Sequence, residues 1–365
     1  MKNTYGSQIA VTIFGESHGE AVGAVIDGLA PGIKVNTEYL EEMLSKRRPG
    51  GAISTGRVES DEYSIPSGVF MGYTTGAPIT IIIKNTNTRS KDYAAIRNTP
   101  RPSHADYAAE EKYHGFQDYR GGGHFSGRVT AALVAAGALI SSALLEKGIK
   151  IGTHISKLHG ISDRGFENIK EDIEKLSSKS FPTLSDEAED LMKEEIKKAR
   201  DMGDSVGGVL ESVITGVPAG VGEPWFDSVE SEISHILFSI GGIKGIEFGD
   251  GFALSDMYGS EANDPFAIKD GRIVTSTNRS GGINGGITNG MPIIVRCAVK
   301  PTPSIYKEQD TVNMKDMTDS KLLIEGRHDP AIIHRVRAVV DAALAIAVAD
   351  MLAVRFGTDY LANSK

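Results

Sequence analysis

The chain repeats itself. Residues 15–33, GESHGEAVGAVIDGLAPGI, align without a gap to residues 203–221, GDSVGGVLESVITGVPAGV, with glycine, serine and glycine shared at the head and glycines near the tail. An amphipathic helical stretch follows each copy, NTEYLEEMLSKR from Asn36 and FDSVESEISHILFSI from Phe226. Further on, TTGAPITIIIKNTNT from Thr74 matches TNGMPIIVRCAVKPTPS from Thr288, each a Gly/Pro turn leading into a β-branched strand. A third pair sets GGGHFSGR and the apolar helix from Val129 against EGRHDP and the apolar helix near Val336. Both halves therefore read strand, glycine loop, strand, helix, turn, strand, arginine loop, buried helix.

The two late helices are apolar almost all round, which suits an interior layer covered by the strands. The expected fold is α+β: a single domain over residues 1–365, built of two pseudo-repeats at about 1–150 and 203–355, with a buried helical core sandwiched between antiparallel β-sheets. The Lys/Glu-dense segment Ile161–Met202, with its helical run DEAEDLMKEEIKKARDM, reads as a charged, solvated connector. The apolar stretches Val129–Leu145 and Ala338–Val354 are long enough to prompt a membrane check. The first is diluted by Gly, Ser and Ala and the second carries Asp341 and Asp350, so both are expected as buried helices and no membrane partner is expected.

Composition narrows the function classes. The single cysteine, Cys297, excludes an internal disulfide and a cysteine-rich metal site, and the N-terminal stretch does not resemble a secretory signal, so a cytoplasmic protein is expected. A formal charge of −9 speaks against non-specific nucleic-acid binding. Arg47, Arg48, Arg57, Arg101, Arg120, Arg128 and Arg327 nevertheless lie in or beside loops rich in Gly, Pro and Ser, a pattern suited to a small anionic ligand. No HExxH or other tight metal-ligand spacing, no dinucleotide fingerprint and no P-loop occurs, and no metal is expected.

Four loops carry chemistry. In GESHG, His18 has Val206 as its counterpart in the second copy, so the repeated loop can be built without an imidazole, which favours a functional role over a scaffolding one. DYRGGGHFSGR, Asp118 to Arg128, combines three bendable glycines with Arg120, Ser126 and Arg128 just ahead of a helix; the alternative is a glycine-rich turn with surface arginines. NTPRPSHAD places Arg101 and His104 in a proline-stiffened loop, where His104 is either an acid or base or a helix cap. RHDP from Arg327 sets a cation, an imidazole and Asp329 before a buried helix, Asp329 being alternatively its N-cap. SGGINGG, SIGGIKG and KPTPS add backbone able to wrap a phosphate or a flat ring. His114, His154, His159 and His235 lack supporting neighbours and read as structural.

The order and spacing of these segments resemble the chorismate synthase family. GESHGEAVGAVIDGLAPG, YRGGGHFSGR and GRHDPA look like its three characteristic segments, and RRPG, RPSHADY, GDSVGG, GEPWFD, KGIEFGDGF and SGGINGGITNG follow in order over most of the chain. The resemblance implies a shikimate-pathway lyase that eliminates phosphate 1,4-anti from 5-enolpyruvylshikimate 3-phosphate to give chorismate, with reduced FMN required although no net redox change occurs. It implies catalytic roles for His18, His104 and Asp329, with Ser17 and Ser126 as hydrogen-bonding helpers. Substrate contacts fall to Arg47, Arg48, Arg101, Arg128 and Arg327. FMN contacts fall to His124, Phe125, Ser126, Gly241, Gly242, Gly285, Lys300, Pro301, Thr302, Pro303, Ser304 and Arg327. It further implies a homotetramer served by an external flavin reductase.

Two departures from the family pattern stand out. Where many relatives continue RRPG with a Thr-Ser-Arg run linked to NADPH, GGAIST stands here with Ala52 and Ile53, and Arg57 is the nearest substitute. The common RSSAR is HFSGR, so His124 and Phe125 replace an arginine and a serine at the flavin loop. Two other readings share many of these residues: an FMN- and NADPH-dependent oxidoreductase acting on a phosphorylated substrate, and a non-catalytic flavin-binding protein.

Overall fold

A computed structural model describes residues 2–49, 60–86, 97–324 and 329–362. Two five-stranded antiparallel sheets dominate it. The first runs Thr4–Tyr5, Ala10–Gly15, Ala21–Asp27, Ile79–Lys84, Tyr63–Ser67 in spatial order. The second runs Ile161–Ser162, Lys150–Leu158, Gly208–Thr215, Ile293–Val299, Ile243–Phe248. Four strands of each sheet follow one order used twice; the short edge strand differs, since Thr4–Tyr5 precedes Ala10–Gly15 in the chain and Ile161–Ser162 follows Lys150–Leu158.

The register shows how closely the halves correspond. Val25 and Ile26 face Thr80 and Ile79 in the first sheet, and Val213 and Ile214 face Ile294 and Ile293 in the second. The turns repeat atom for atom as well. Thr74 Oγ1 donates to the Ala30 carbonyl at 2.7 Å and accepts from Ile33 N at 2.9 Å, while Thr288 Oγ1 donates to the Pro218 carbonyl at 2.7 Å and accepts from Val221 N at 2.9 Å. Ala10 pairs with Asp27 as Lys150 pairs with Thr215, so by register the second copy starts at Lys150 rather than at Gly203. The Lys/Glu-rich segment thus joins two neighbouring strands of one sheet and lies within the second copy rather than between copies. A charge-rich composition reports solvent contact but not where in the topology a segment is inserted.

The described residues form eight α-helices within and around the two sheets: α1 (Thr37–Arg47), α2 (Asp106–Tyr113), α3 (Thr130–Glu146), α4 (Ile169–Ser178), α5 (Asp186–Asp201), α6 (Val229–Phe238), α7 (Gly259–Ala262) and α8 (Ile333–Phe356). Local signals account for several starts: Asn36, Ser185 and Ser228 each accept a backbone N–H as the N-cap of α1, α5 and α6. The helices α3 and α8 pack against each other, α3 beneath the first sheet and α8 beneath the second. Their crossing is close enough that a Cβ on Gly137 would lie 2.4 Å from the Cβ of Ala342, so backbone touches backbone there. Residues Gly127–Glu146 are long and apolar enough to cross a membrane by composition, and 72% of that stretch is buried inside the protein.

Several polar groups inside this core are paired. Asp350 of α8 accepts N–H bonds from Ser7, Gln8 and Ile9 at 2.7–2.9 Å and so anchors the first sheet to the helix. Asp341 accepts from Thr153 Oγ1 at 2.6 Å, and Arg337 donates to the Leu176 and Lys179 carbonyls, fastening the inserted segment to the same helix. Gly15, Lys84, the start of α3, Leu158, Val299 and the start of α8 all lie toward one end of the sandwich, and the chemistry-bearing loops leave from them.

Candidate active site

The turn Glu16–Gly19, closed by Gly19 N donating to the Glu16 carbonyl at 3.1 Å, carries Ser17 and His18 at its centre. Both are buried, Ser17 to 1% exposure. The glycine loop supports it from one side: Ser17 N donates to the Gly123 carbonyl at 3.0 Å, and His124 Nδ1 donates to the Gly15 carbonyl at 2.7 Å. Because a carbonyl only accepts, that bond fixes the proton of His124 on Nδ1.

Gly121, Gly122 and Gly123 have φ of +62°, +82° and +53°, a left-handed run that side chains resist. Space is as important as angle. A Cβ on Gly121 would come within 2.2 Å of the His18 ring, and one on Gly122 within 3.3 Å of the His104 ring. Two histidines 86 positions apart in the chain are thereby brought to consecutive glycines of one loop.

His104 is held by a carboxylate. Its Nδ1 lies 2.6 Å from Asp106 Oδ1 and 3.0 Å from Arg101 Nη2; the shorter contact, to a carboxylate that can only accept, places the proton on Nδ1 and leaves Nε2 for acid–base work. Asp106 also receives two guanidinium bonds from Arg101, at 2.8 and 2.7 Å, and the Arg101 backbone N–H at 3.0 Å. Burial pushes the Asp106 carboxyl up, but the hydrogen bonds from Arg101 and His104 outweigh it and hold the group well below the usual carboxylate range. His104 is therefore no helix cap: α2 starts with Ala105 at its N-cap and no side-chain cap bond.

Behind the histidines lies an arginine cluster. Arg47, Arg48 and Arg128 all point at Asp61, whose side chain has no exposure. Arg47 Nη2 reaches Oδ2 at 3.1 Å, Arg48 Nε the same oxygen at 3.3 Å, and Arg128 Nη1 is hydrogen-bonded to Oδ1. Burial raises the Asp61 carboxyl, yet the charges of Arg47 and Arg128 prevail and lower it. Among the described residues, three cations on one carboxylate make a net positive, mostly buried cluster suited to an anion. Arg120, expected to converge with Arg128, instead makes two 2.8 Å bonds to Asp118 and is 42% exposed, because the left-handed glycines turn the chain between them.

The second copy closes the site. Lys300 N donates to the Gly242 carbonyl at 2.9 Å, and Lys300 Nζ donates to the carbonyl of Ser103, the neighbour of His104, at 2.5 Å. Partial burial and the nearby Lys244 lower the Lys300 ammonium. Thr302 Oγ1 donates to the Asp329 carbonyl at 2.6 Å, and the Asp329 carboxylate accepts from Arg335 Nη2 at 2.7 Å. That partner, rather than an α8 amide, occupies Asp329, and the N-cap of α8 is Ile332.

A profile of the chorismate synthase family matches residues 9–353, nearly the whole chain and both halves of the site. The chain belongs to the chorismate synthase family. Chorismate synthase of Thermococcus kodakarensis is 46% identical over 348 residues, 95% of this chain and 96% of the relative. That of Methanobrevibacter smithii is 46% identical over 366 residues, 100% of this chain and 99% of the relative. A crystal structure of a chorismate synthase aligns with a TM-score of 0.72 at 26% identity, over 96% of this chain and 93% of the other.

Against the residues that the family resemblance named, the geometry is specific. Ser17, His18, His104 and Arg101 converge on the glycine loop, and Arg47, Arg48 and Arg128 on Asp61. Ser126 caps the short turn ahead of α3, its Oγ accepting Arg128 N at 3.2 Å, and Phe125 packs edge-on to Tyr113 at 6.0 Å. Gly285 sits at φ +62° at a hairpin tip whose neighbour Gly286 packs on Glu223 and Ser228, at the start of α6. Ala52, Ile53, Arg57 and Arg327 lie outside the described residues. Among the described residues, no group of three or more His, Cys, Asp or Glu is placed to hold a metal.

A flavin fits this arrangement. Ser17 Oγ is buried and makes no hydrogen bond among the described residues, so it has a donor and acceptor to offer. A Cβ at Gly241 would meet nothing within 4 Å, and Lys300 and Lys244 place cations beside that backbone, as a planar, phosphate-bearing group requires. Sequence reasoning missed Asp61, Asp106 and Asn85. RPSHADY contains Asp106 two residues after His104, a spacing that signals a histidine with an orienting carboxylate; Asp61 has no such local signal.

Proposed function

We propose that this protein is a carbon–oxygen lyase that converts 5-enolpyruvylshikimate 3-phosphate to chorismate and phosphate by 1,4-anti elimination, the last step of the shikimate pathway to the aromatic amino acids. The observation that carries the reading is the placement of His18 and His104 against consecutive glycines with the buried arginine cluster alongside. Elimination breaks the bond from carbon to the phosphate oxygen and removes a hydrogen from an unactivated carbon. Reduced FMN, when bound, would supply the transient electron that such a carbon needs, with no net redox change.

The chain's own groups do the rest. Arg47, Arg48, Arg101, Arg128 and Arg327 neutralise the carboxylates and the departing phosphate, where negative charge grows. His104, with Nδ1 committed to Asp106, presents Nε2 and its proton to the leaving phosphate, and the Asp106 carboxylate steadies the imidazolium that performs this. His18 and Asp329 hold or move protons beside the flavin. Ser17 and Ser126 donate hydrogen bonds there. His124, Phe125, Gly241, Gly242, Gly285 and the Lys300 to Ser304 loop hold the cofactor, with the two lysines set for its phosphate.

The chain takes reduced FMN from an external reductase, without an NADPH site of the usual kind, because Ala52 and Ile53 stand where the family carries an arginine. It acts in the cytoplasm as a homotetramer. Exposed Trp225, Phe226, Phe252 and Phe266 provide apolar surface for subunit contacts. The test is an anaerobic assay with reduced FMN and the enolpyruvyl phosphate. Chorismate and phosphate without flavin consumption support the lyase; stoichiometric flavin oxidation, or tight flavin binding with no turnover, overturns it.

A further inference from the structure

Asn85 follows the last residue of the strand Ile79–Lys84 and touches both the histidine turn and the arginine cluster. Its Nδ2 donates to the Glu16 carbonyl at 3.0 Å and to the Gly19 carbonyl at 2.9 Å, the first and last residues of the turn that carries Ser17 and His18. Its Oδ1 accepts from Arg128 Nε at 2.9 Å. Chemistry settles the orientation of the amide, since a guanidinium only donates and carbonyls only accept. Arg128 is in turn bound to Asp61 and, at 3.1 Å, to the Lys84 carbonyl. One side chain therefore clips the two ends of the histidine turn together and ties them to the buried cations.

The second copy gives an independent control. Its strand register sets Val299 where the first copy has Asn85, just as Val206 stands in place of His18. The same backbone is built there without the amide, so the fold does not demand it. Asparagine and histidine occur together in one copy and are absent together from the other.

We propose that Asn85 is a positioning residue that aims His18 at the reaction site and couples its placement to Arg128. The inference rests on the catalytic reading of His18. The ring lies directly against Gly121, with no room for even a Cβ, so a shift of the turn by about 1 Å displaces it enough to cost on the order of a hundredfold in rate.

Two substitutions separate positioning from simple support. Asn85→Ala removes all three bonds. Asn85→Asp keeps an acceptor for Arg128 but sets a carboxylate oxygen against the Glu16 and Gly19 carbonyls. Thermal melting first establishes that both variants are folded, and Asn85→Asp, which retains the link to Arg128, carries the test should Asn85→Ala fail to fold. In flavin-free protein labelled with nitrogen-15 at its nine histidines, the His18 signal, identified by its loss in His18→Ala, is recorded by NMR at fixed pH. Both Asn85 variants are expected to move the His18 ring-nitrogen chemical shifts at fixed pH and to leave most other histidine signals in place.

In turnover with reduced FMN, each Asn85 variant is expected to lose about tenfold or more in kcat with less change in KM, and Asn85→Ala/His18→Ala is expected to be no slower than His18→Ala alone. Near-normal turnover in Asn85→Asp, an unmoved His18 signal, or losses that multiply in the double variant overturn the proposal. Near-normal turnover in His18→Ala instead overturns the catalytic reading of His18 on which the proposal stands.

Discussion

Asp61 accepts a hydrogen bond from Arg47 at 3.1 Å with both side chains nearly cut off from water, and Arg48 and Arg128 close on the same carboxylate. Removing its charge takes away the carboxylate that the three guanidiniums share. Asp61→Asn is expected to cost about 3 kcal/mol of stability at neutral pH, the scale for breaking a buried pair, measured by chemical denaturation. The sign with pH follows from the lowered carboxyl. Its contribution is present above the ordinary carboxylate pKa and is lost as pH falls through the folded value, so the gap between variant and parent narrows on acidification.

Asp106 fixes the His104 tautomer and grips Arg101 at once. Asp106→Asn still fills the space but can donate toward Nδ1, which turns the proton to the wrong nitrogen. Turnover is expected to fall about a hundredfold or more, with the profile of kcat against pH altered; a variant within threefold of the parent would show that His104 is not the acid.

Gly121 and Gly122 test the two histidines separately. Gly121→Ala puts a methyl group into the His18 ring at a φ of +62°, whereas Gly122→Ala meets only the edge of His104 at 3.3 Å. Turnover is expected to fall more in Gly121→Ala than in Gly122→Ala, with both proteins still cooperative in thermal melts. Equal losses would mean that loop strain alone, not the histidine, sets the effect.

His334, stacked on Phe181 with ring centroids 5.9 Å apart, titrates in a way that destabilises the fold in acid. Burial, with Arg335 adding to it, depresses its pKa from 6.5 to about 3. The unfolded chain then binds the extra proton between those values, so stability is full above pH 6.5 and falls toward pH 3 by up to about 1.4 kcal/mol per pH unit. His334→Phe is expected to flatten that part of the curve of denaturation midpoint against pH.

How much of this was legible in the residues depends on range. The paired motifs and the two all-apolar helices showed the sandwich because period and apolarity are local properties. The same duplication singled out His18 as a candidate through Val206. Asp61 and Asn85 stayed hidden because each acts across the chain, Asp61 on Arg128 and Asn85 on Glu16 and Gly19, through pairings that only the closed sheet creates. The insertion point of the Lys/Glu-rich segment escaped for a related reason: composition carries no record of which strands are neighbours.

Gly137 sits where the crossing of α3 and α8 has no room to spare. Since its Cα faces Ala342 without room for a Cβ, Gly137→Val is expected to push α3 from α8 and cost about 3 kcal/mol or more, read as a lowered denaturation midpoint. The conservative Ala342→Gly is expected to restore part of the loss by opening space opposite.

The matched threonine turns at Thr74 and Thr288 have a consequence for how asymmetry arises. Two separate subunits related by a twofold axis must carry the same side chain at each related position, so such a dimer would hold two histidine turns or two valine turns. Covalent tandem copies escape that restriction. One copy keeps His18 and Asn85 while the other, with Val206 and Val299, is free to present Lys300 and Thr302, and a single lopsided cleft stands where a symmetric pair would otherwise be forced.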